Sequence, residues 1–158
     1  MKSLHKIGLL LVLFAGFMSS ALADTTRAAS EFVQRQALGK NLKTIGYAAI
    51  QKTQTFAMLA SKLGTSEAQS LVSKELDAYA PQFQSQWNAN LAKIYAQHFT
   101  SDELASLASE GRNSRHIEKL NAKQQVIGVQ MQQQSTPILT AYVSAALNSA
   151  FSKFSQKP

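Results

Sequence analysis

Apolar residues recur along this chain at steps of three, four and seven, and no useful length alternates with the period of two that marks a strand. Leu42, Ile45, Ala49, Phe56, Leu59 and Leu63 form one such stripe, which Gly64 closes as a C-terminal cap. Before it, residues 28–38 read as a shorter helix with Phe32 and Val33 inward, ended by Gly39. After it, Thr65 or Ser66 can cap a helix that carries Ala68, Val72, Leu76 and Tyr79. Pro81 suits the first turn of a further helix, where its missing N–H is harmless, and that helix aligns Phe83, Trp87, Leu91, Ile94, Tyr95 and His98.

Thr100-Ser-Asp-Glu103 has the form of a capping box, in which the threonine oxygen accepts from the third amide and the glutamate reaches back. Leu104 and Leu107 give the helix that follows its inner face. Residues 114–134 are polar and Gln-rich, with Ile117, Leu120, Val126, Ile127 and Met131 as sparser apolar contacts. Pro137 disfavours helical geometry at Thr136, so a break or kink is expected before a last helix that buries Leu139, Tyr142, Val143, Ala146, Ala150 and Phe154. With only three prolines, and most glycines between periodic segments, long helices are favoured. The expected fold is all-α: a single-domain helical bundle of about six or seven helices.

The N-terminus follows a different grammar. Lys2 and Lys6 precede an apolar run over residues 7–17, and Ala21-Leu22-Ala23 stands ahead of Asp24. A basic start, a short apolar segment and a small-x-small site make residues 1–23 a secretory signal peptide. A membrane span needs roughly 20 apolar residues, more than this run supplies, so cleavage is expected to leave no transmembrane anchor. The chain has no cysteine, which excludes lipidation at the cleavage point, disulfide exchange and thiolate catalysis. No twin-arginine pair precedes the run, so the expected route is general secretion of an unfolded chain to the periplasm. The remaining domain, residues 24–158, is 135 of the 158 residues, long enough to bury a core without disulfides.

Charge narrows the partners. The chain has 16 basic and 9 acidic side chains; without Lys2 and Lys6 the balance is 14 against 9, a net +5. In an envelope compartment this points to anionic lipid, acidic glycan or an envelope protein, and nucleic acid is the wrong partner for that location. A modest positive charge is also ordinary for a soluble protein.

At Ile94-Tyr-Ala-Gln-His-Phe-Thr-Ser-Asp-Glu-Leu104 the chain resembles the DUF2059 family of secreted bacterial helical proteins. That family's signature is Tyr-x-x-x-Phe-Thr-x-x-Glu-Leu followed by Phe-Tyr-x-Ser-Pro-x-Gly. Tyr95, Phe99, Thr100, Glu103 and Leu104 match the first half; the second half departs, reading Ser109-Glu-Gly-Arg-Asn-Ser-Arg-His116. The likeness in helical character extends over about residues 30–155. It implies a helical fold and export, and the family's function is unknown.

Candidate chemistry is thin. After cleavage the histidines are His98 and His116. His98 lies on an apolar stripe at a helix end, where a core or dipole-facing role is expected. Zinc takes three or four protein ligands, and two separated histidines without cysteine supply no recognisable site, so neither metal nor cofactor is expected. No nucleophile elbow or Ser-x-x-Lys context stands out, and no facing carboxylate pair can be read from spacing.

One constellation has some specificity: Arg112, Arg115, His116, Lys119 and Lys123, whose spacing places all five on one face if a helix runs through them. Such a row can hold phosphate or carboxylate groups, and it can equally be a solvated face. Phe151, Lys153, Phe154 and Lys157 mix aromatic bulk with charge, as a lipid-facing helix or a final packing helix does. The Gln124-Gln125 and Gln132-Gln133-Gln134 runs suggest a polar helix facing solvent or a partner. The leading expectation is a non-enzymatic binding or interaction module for an anionic envelope ligand or protein. The alternatives are a small periplasmic hydrolase of cell-wall or lipid material, drawing on Glu103 or His98, and a periplasmic helical chaperone or stress protein.

Overall fold

The computed structural model describes residues 14–156, with side chains from residue 22 onward. The basic start and most of the apolar run of the expected leader lie outside the described residues, as do Lys157 and Pro158. Six α-helices follow in order: α1 (Phe14–Arg35), α2 (Leu42–Ile50), α3 (Gln54–Leu63), α4 (Thr65–His98), α5 (Ser101–Glu110) and α6 (Ile117–Ser155). Short 3-10 turns occupy Leu38–Asn41 and Gly111–Asn113, and no strand occurs among the described residues. The all-α bundle is therefore as expected. No described helix is long and apolar enough to cross a membrane.

The spine is α4, about 51 Å long at 1.5 Å per residue. Along it lies α6, about 58 Å long by the same rise. The C-terminal half of α4 also meets α1, which in turn carries α5; its N-terminal half meets α2 and α3. One continuous core runs through all of these. Phe32 of α1 sets its ring edge against Tyr95 of α4 at 5.0 Å, and Leu104 and Leu107 of α5 are fully buried behind them. At the other end Leu42, Ile50, Leu59, Val72, Leu76 and Tyr142 close the core.

The helix boundaries depart from the sequence reading in four places. The stripe expected to run unbroken from Leu42 to Leu63 is split at residues 51–53, where Thr53 caps α3: its hydroxyl donates to Ile50 O at 2.7 Å and accepts from Phe56 N at 3.2 Å. Neither expected proline break occurs. Pro81 lies inside α4 and Pro137 inside α6. Both are exposed, as are Asp77 and Gln133 four residues earlier, so the carbonyls that lose their helical partner face water, where the loss is smallest. Gly39 is not the cap of α1 either. Ala37 takes the left-handed conformation there, at φ 53°, and Gly39 sits in the 3-10 turn beneath the side chains of Gln84 and Asn88. Gly64, by contrast, does close α3, with φ 85° and its N–H on Ala60 O.

At Gly46 the backbone of α2 comes close to a side chain of α6. A Cβ on Gly46 would lie 2.8 Å from Cε1 of Tyr142, whose fully buried hydroxyl donates to the Leu76 carbonyl at 2.8 Å. Burial, with a smaller push from Asp77, raises that phenol to about 12. Gly46→Ala is therefore expected to destabilise the fold by about 1–3 kcal/mol through overpacking, despite alanine's better helix propensity. A urea midpoint equal to or above wild type would show that the ring moves aside freely.

Candidate functional site

A groove opens between the start of α2 and the middle of α6, with α4 as its floor. Two adjoining cavities make it up, of about 360 Å³ and about 210 Å³, and both are lined by Asn41, Trp87, Gly128 and Met131. The larger continues over Ile45, Ser135 and Leu139; the smaller continues over Leu38, Tyr95 and Gln124. Trp87 and Met131 are buried in the floor, and Met131 supplies the adaptable thioether common at such surfaces. A concave, largely apolar pocket with a few polar groups is the usual form of a small-molecule site.

The buried polar groups of this groove are bonded to one another. Trp87 Nε1 donates to Asn41 Oδ1 at 3.1 Å, Asn90 Nδ2 donates to Ser135 Oγ at 3.2 Å, and Ser135 Oγ donates to Met131 Sδ at 3.1 Å. The Tyr95 phenol is raised by burial, an effect partly offset by its hydrogen bond with Gln124. Among the described residues no buried side-chain nitrogen or oxygen lacks a partner.

The rim has one bare point. Gly128 lies inside α6, and a Cβ there would meet nothing within 4 Å. A glycine in a helix interior costs about 1 kcal/mol relative to alanine, and no packing contact here requires it.

The sequence-selected cations do not share one helical face. Arg112 is in the 3-10 turn, Ser114 is extended, His116 is the N-cap of α6, and only Lys119 and Lys123 stand on that helix. The condition for a single row, one helix through all five, is not met. Lys119 instead bridges both oxygens of Glu103, at 2.8 and 2.6 Å, and lies 4.9 Å from the centre of the Phe99 ring. His116 Nδ1 is 3.9 Å from Glu103 Oε1, while its Nε2 accepts from Arg115 Nε at 3.1 Å. Arg112 and Lys123 have no carboxylate partner among the described residues.

The family-like junction has the structure its residues imply. Glu103 N donates to Thr100 Oγ1 at 3.3 Å and Thr100 N donates to Glu103 Oε2 at 2.9 Å, a complete capping box. Tyr95, Phe99 and Leu104 are buried around it. Burial would raise the Glu103 carboxyl, but the bonds from Lys119 and the Thr100 amide outweigh it and hold the group below its ordinary range. His98 ends α4 half-buried, with Nε2 2.6 Å from Gln130 Oε1, the helix-terminal role expected of it.

A second engaged carboxylate escaped the sequence reading. Glu75, fully buried on α4, accepts from Lys153 at 2.6 Å and from Ser149 at 2.7 Å, both on α6. Desolvation pushes its pKa up; the two hydrogen bonds and the Lys153 charge more than offset this and lower it. Lys153 is thus a tie between helices, while Phe151 is exposed and Phe154 packs partly against the core. Among the described residues no three His, Asp or Glu side chains converge as a metal site would require. No protein-family model, curated protein or solved structure matches this chain.

Two outcomes follow for stability. Gly128→Ala is expected to raise it by about 1 kcal/mol, seen as a higher thermal midpoint; a lower one would mean the position has a packing role. Glu75 and Glu103 both lie below the ordinary 4.5 when folded, so the unfolded chain binds protons first as pH falls. Their contribution is complete above the ordinary value and is lost as pH drops through the folded values. Replacing both by Gln should lower stability at neutral pH and flatten its acid dependence as pH falls below about 5; an unchanged slope would show that neither carboxylate drives it.

Proposed function

We propose that this is an exported, periplasmic protein of the DUF2059 type that binds an anionic envelope ligand without transforming it. The groove floored by Trp87 and Met131 carries the reading: it is concave, largely apolar and already satisfied in its own hydrogen bonds. Its smaller cavity is lined in part by Gln124, which follows Lys123 in the chain, a cation with no carboxylate partner among the described residues. Arg112 and Arg115 add positive charge at the same end of α6. The signal-like N-terminus and the net +5 of residues 24–158 support export and an anionic partner.

The groups that a hydrolase would draw on have other employment. Glu103 is held ionised by Lys119 within a capping box, the opposite of the raised pKa a general acid requires. His98 shares its ring nitrogen with Gln130 and borders no cavity described above.

Binding to phosphatidylglycerol vesicles tests the reading. The protein is expected to bind these and not phosphatidylcholine vesicles, and Arg112→Gln/Arg115→Gln/Lys123→Gln together should weaken binding about tenfold with the thermal midpoint unchanged, on the order of 1.4 kcal/mol. Equal binding by the variant would remove the anionic partner. N-terminal sequencing of the cell's own protein should begin at Asp24; an intact Met1 would remove export.

A further inference from the structure

We infer that the groove receives the alkyl chain of an anionic single-chain amphiphile, a long-chain fatty acid, laid over the bare backbone at Gly128 with its headgroup towards Lys123. This rests on the binding reading above and adds the chemistry of the ligand.

Four observations converge on it. First, the buried polar groups of the groove are paired with each other, Trp87 to Asn41 and Ser135 to Asn90 and Met131. The exposed Asn41, Gln124, Gln132 and Thr136 also line the groove, but at its buried floor a sugar or an extended peptide would give up hydrogen bonds to water and regain few, whereas an alkyl chain gives up none. Second, Gly128 sits in the wall shared by both cavities with open space where a side chain would project. A stability-lowering residue without a packing reason is explained if something must approach the helix backbone closely at that point.

Third, the lining positions on α6, from Gln124 to Leu139, span about 22 Å of helix. Such a long, narrow course suits an extended tail better than a compact ring. Fourth, the stretch of α6 that lines the groove is bare of charge, with Lys123 at its N-terminal end. The 29 residues 124–152 contain no Asp, Glu, Lys, Arg or His, an unusual run for a partly exposed helix. Lys123 stands just before it, and the next cation back, Lys119, is committed to Glu103. An amphiphile with one charged end matches that polarity and is oriented by it. A partner helix would also bring a self-satisfied backbone, but it would make no particular use of positive charge at one end of an uncharged wall.

The single tryptophan of the chain reports on the site directly, since Trp87 is in the groove floor. A chain-brominated stearate is expected to quench its fluorescence saturably below the micellar concentration, with palmitate competing. Gly128→Phe should weaken this at least tenfold, with Gly128→Leu as a second blocking variant and helical circular dichroism confirming the fold of each. Lys123→Gln should weaken palmitate several-fold while leaving the corresponding uncharged alcohol unaffected; Lys62→Gln, of the same charge change on α3, should alter neither.

Absence of quenching, or quenching indifferent to both Gly128 variants, overturns the inference. If phosphatidylglycerol vesicles still bind in that case, the wider reading survives and only the alkyl site falls; if neither binds, both fall. Capture of an envelope protein that Gly128→Phe abolishes, with no quenching by the brominated chain, overturns it in favour of a helical partner.

Discussion

The pairing of α4 with α6 is the constraint on which every other contact depends. Each helix is far longer than the mean for globular proteins, and each buries its apolar stripe mainly against the other and against the short helices laid on α4. The stripe of α4 runs in phase past Pro81, from Val72 and Leu76 to Trp87, Leu91 and Ile94, and that of α6 runs past Pro137, from Ile127 and Met131 to Tyr142 and Ala146. Tertiary burial on both sides of each proline outweighs one lost backbone hydrogen bond whose carbonyl can turn to water. The Glu75 pair with Lys153 and Ser149, together with Tyr142 on the adjacent Leu76 carbonyl, fixes one end of this seam, and Asn90 with Ser135 and His98 with Gln130 tie it further along.

Helix content and most core positions were legible in the amino-acid sequence because burial repeats with helical period. Phe32, Val33, Leu42, Leu59, Val72, Leu76, Leu91 and Tyr142 all lie where that period places them. The capping box at Thr100 was legible because it is a local device whose partners are three residues apart. Breaks were harder. A step of seven from Ala49 to Phe56 hides the turn at Thr53, since seven is also two turns of an unbroken helix and the spacing carries no mark of the break. Prolines mislead in the opposite direction, because their local penalty is visible in sequence while the seam that outweighs it is not.

The site shows the same division. Trp87 and Met131 could be placed on inward faces, but the groove between them needs Asn41 and Ile45 from a segment more than 40 residues away in sequence. The ion pair of Glu75 with Lys153, 78 residues apart, has no local signature at all. Gly128 was the one available signal, a glycine inside a polar helix with neither cap nor turn to explain it. The basic residues after Arg112 illustrate how spacing arguments fail: equal offsets make one face only if the backbone between them is helical, and here α6 starts at Ile117.

The order of the elements along the chain has a consequence for the timing of folding. Tyr142, Ala146 and Ala150, all at zero exposure, belong to about the last four turns of α6, the part that covers α2, α3 and the first half of α4. Until that final segment is delivered, Leu59, Val72 and Leu76 have no lid, and Glu75 is a carboxylate without its ammonium partner. Contacts joining residues 66 to 78 positions apart complete the core, so its α2–α3 end cannot close before the C-terminus is present. In a chain built this way the last residues made are the ones that seal the first residues buried.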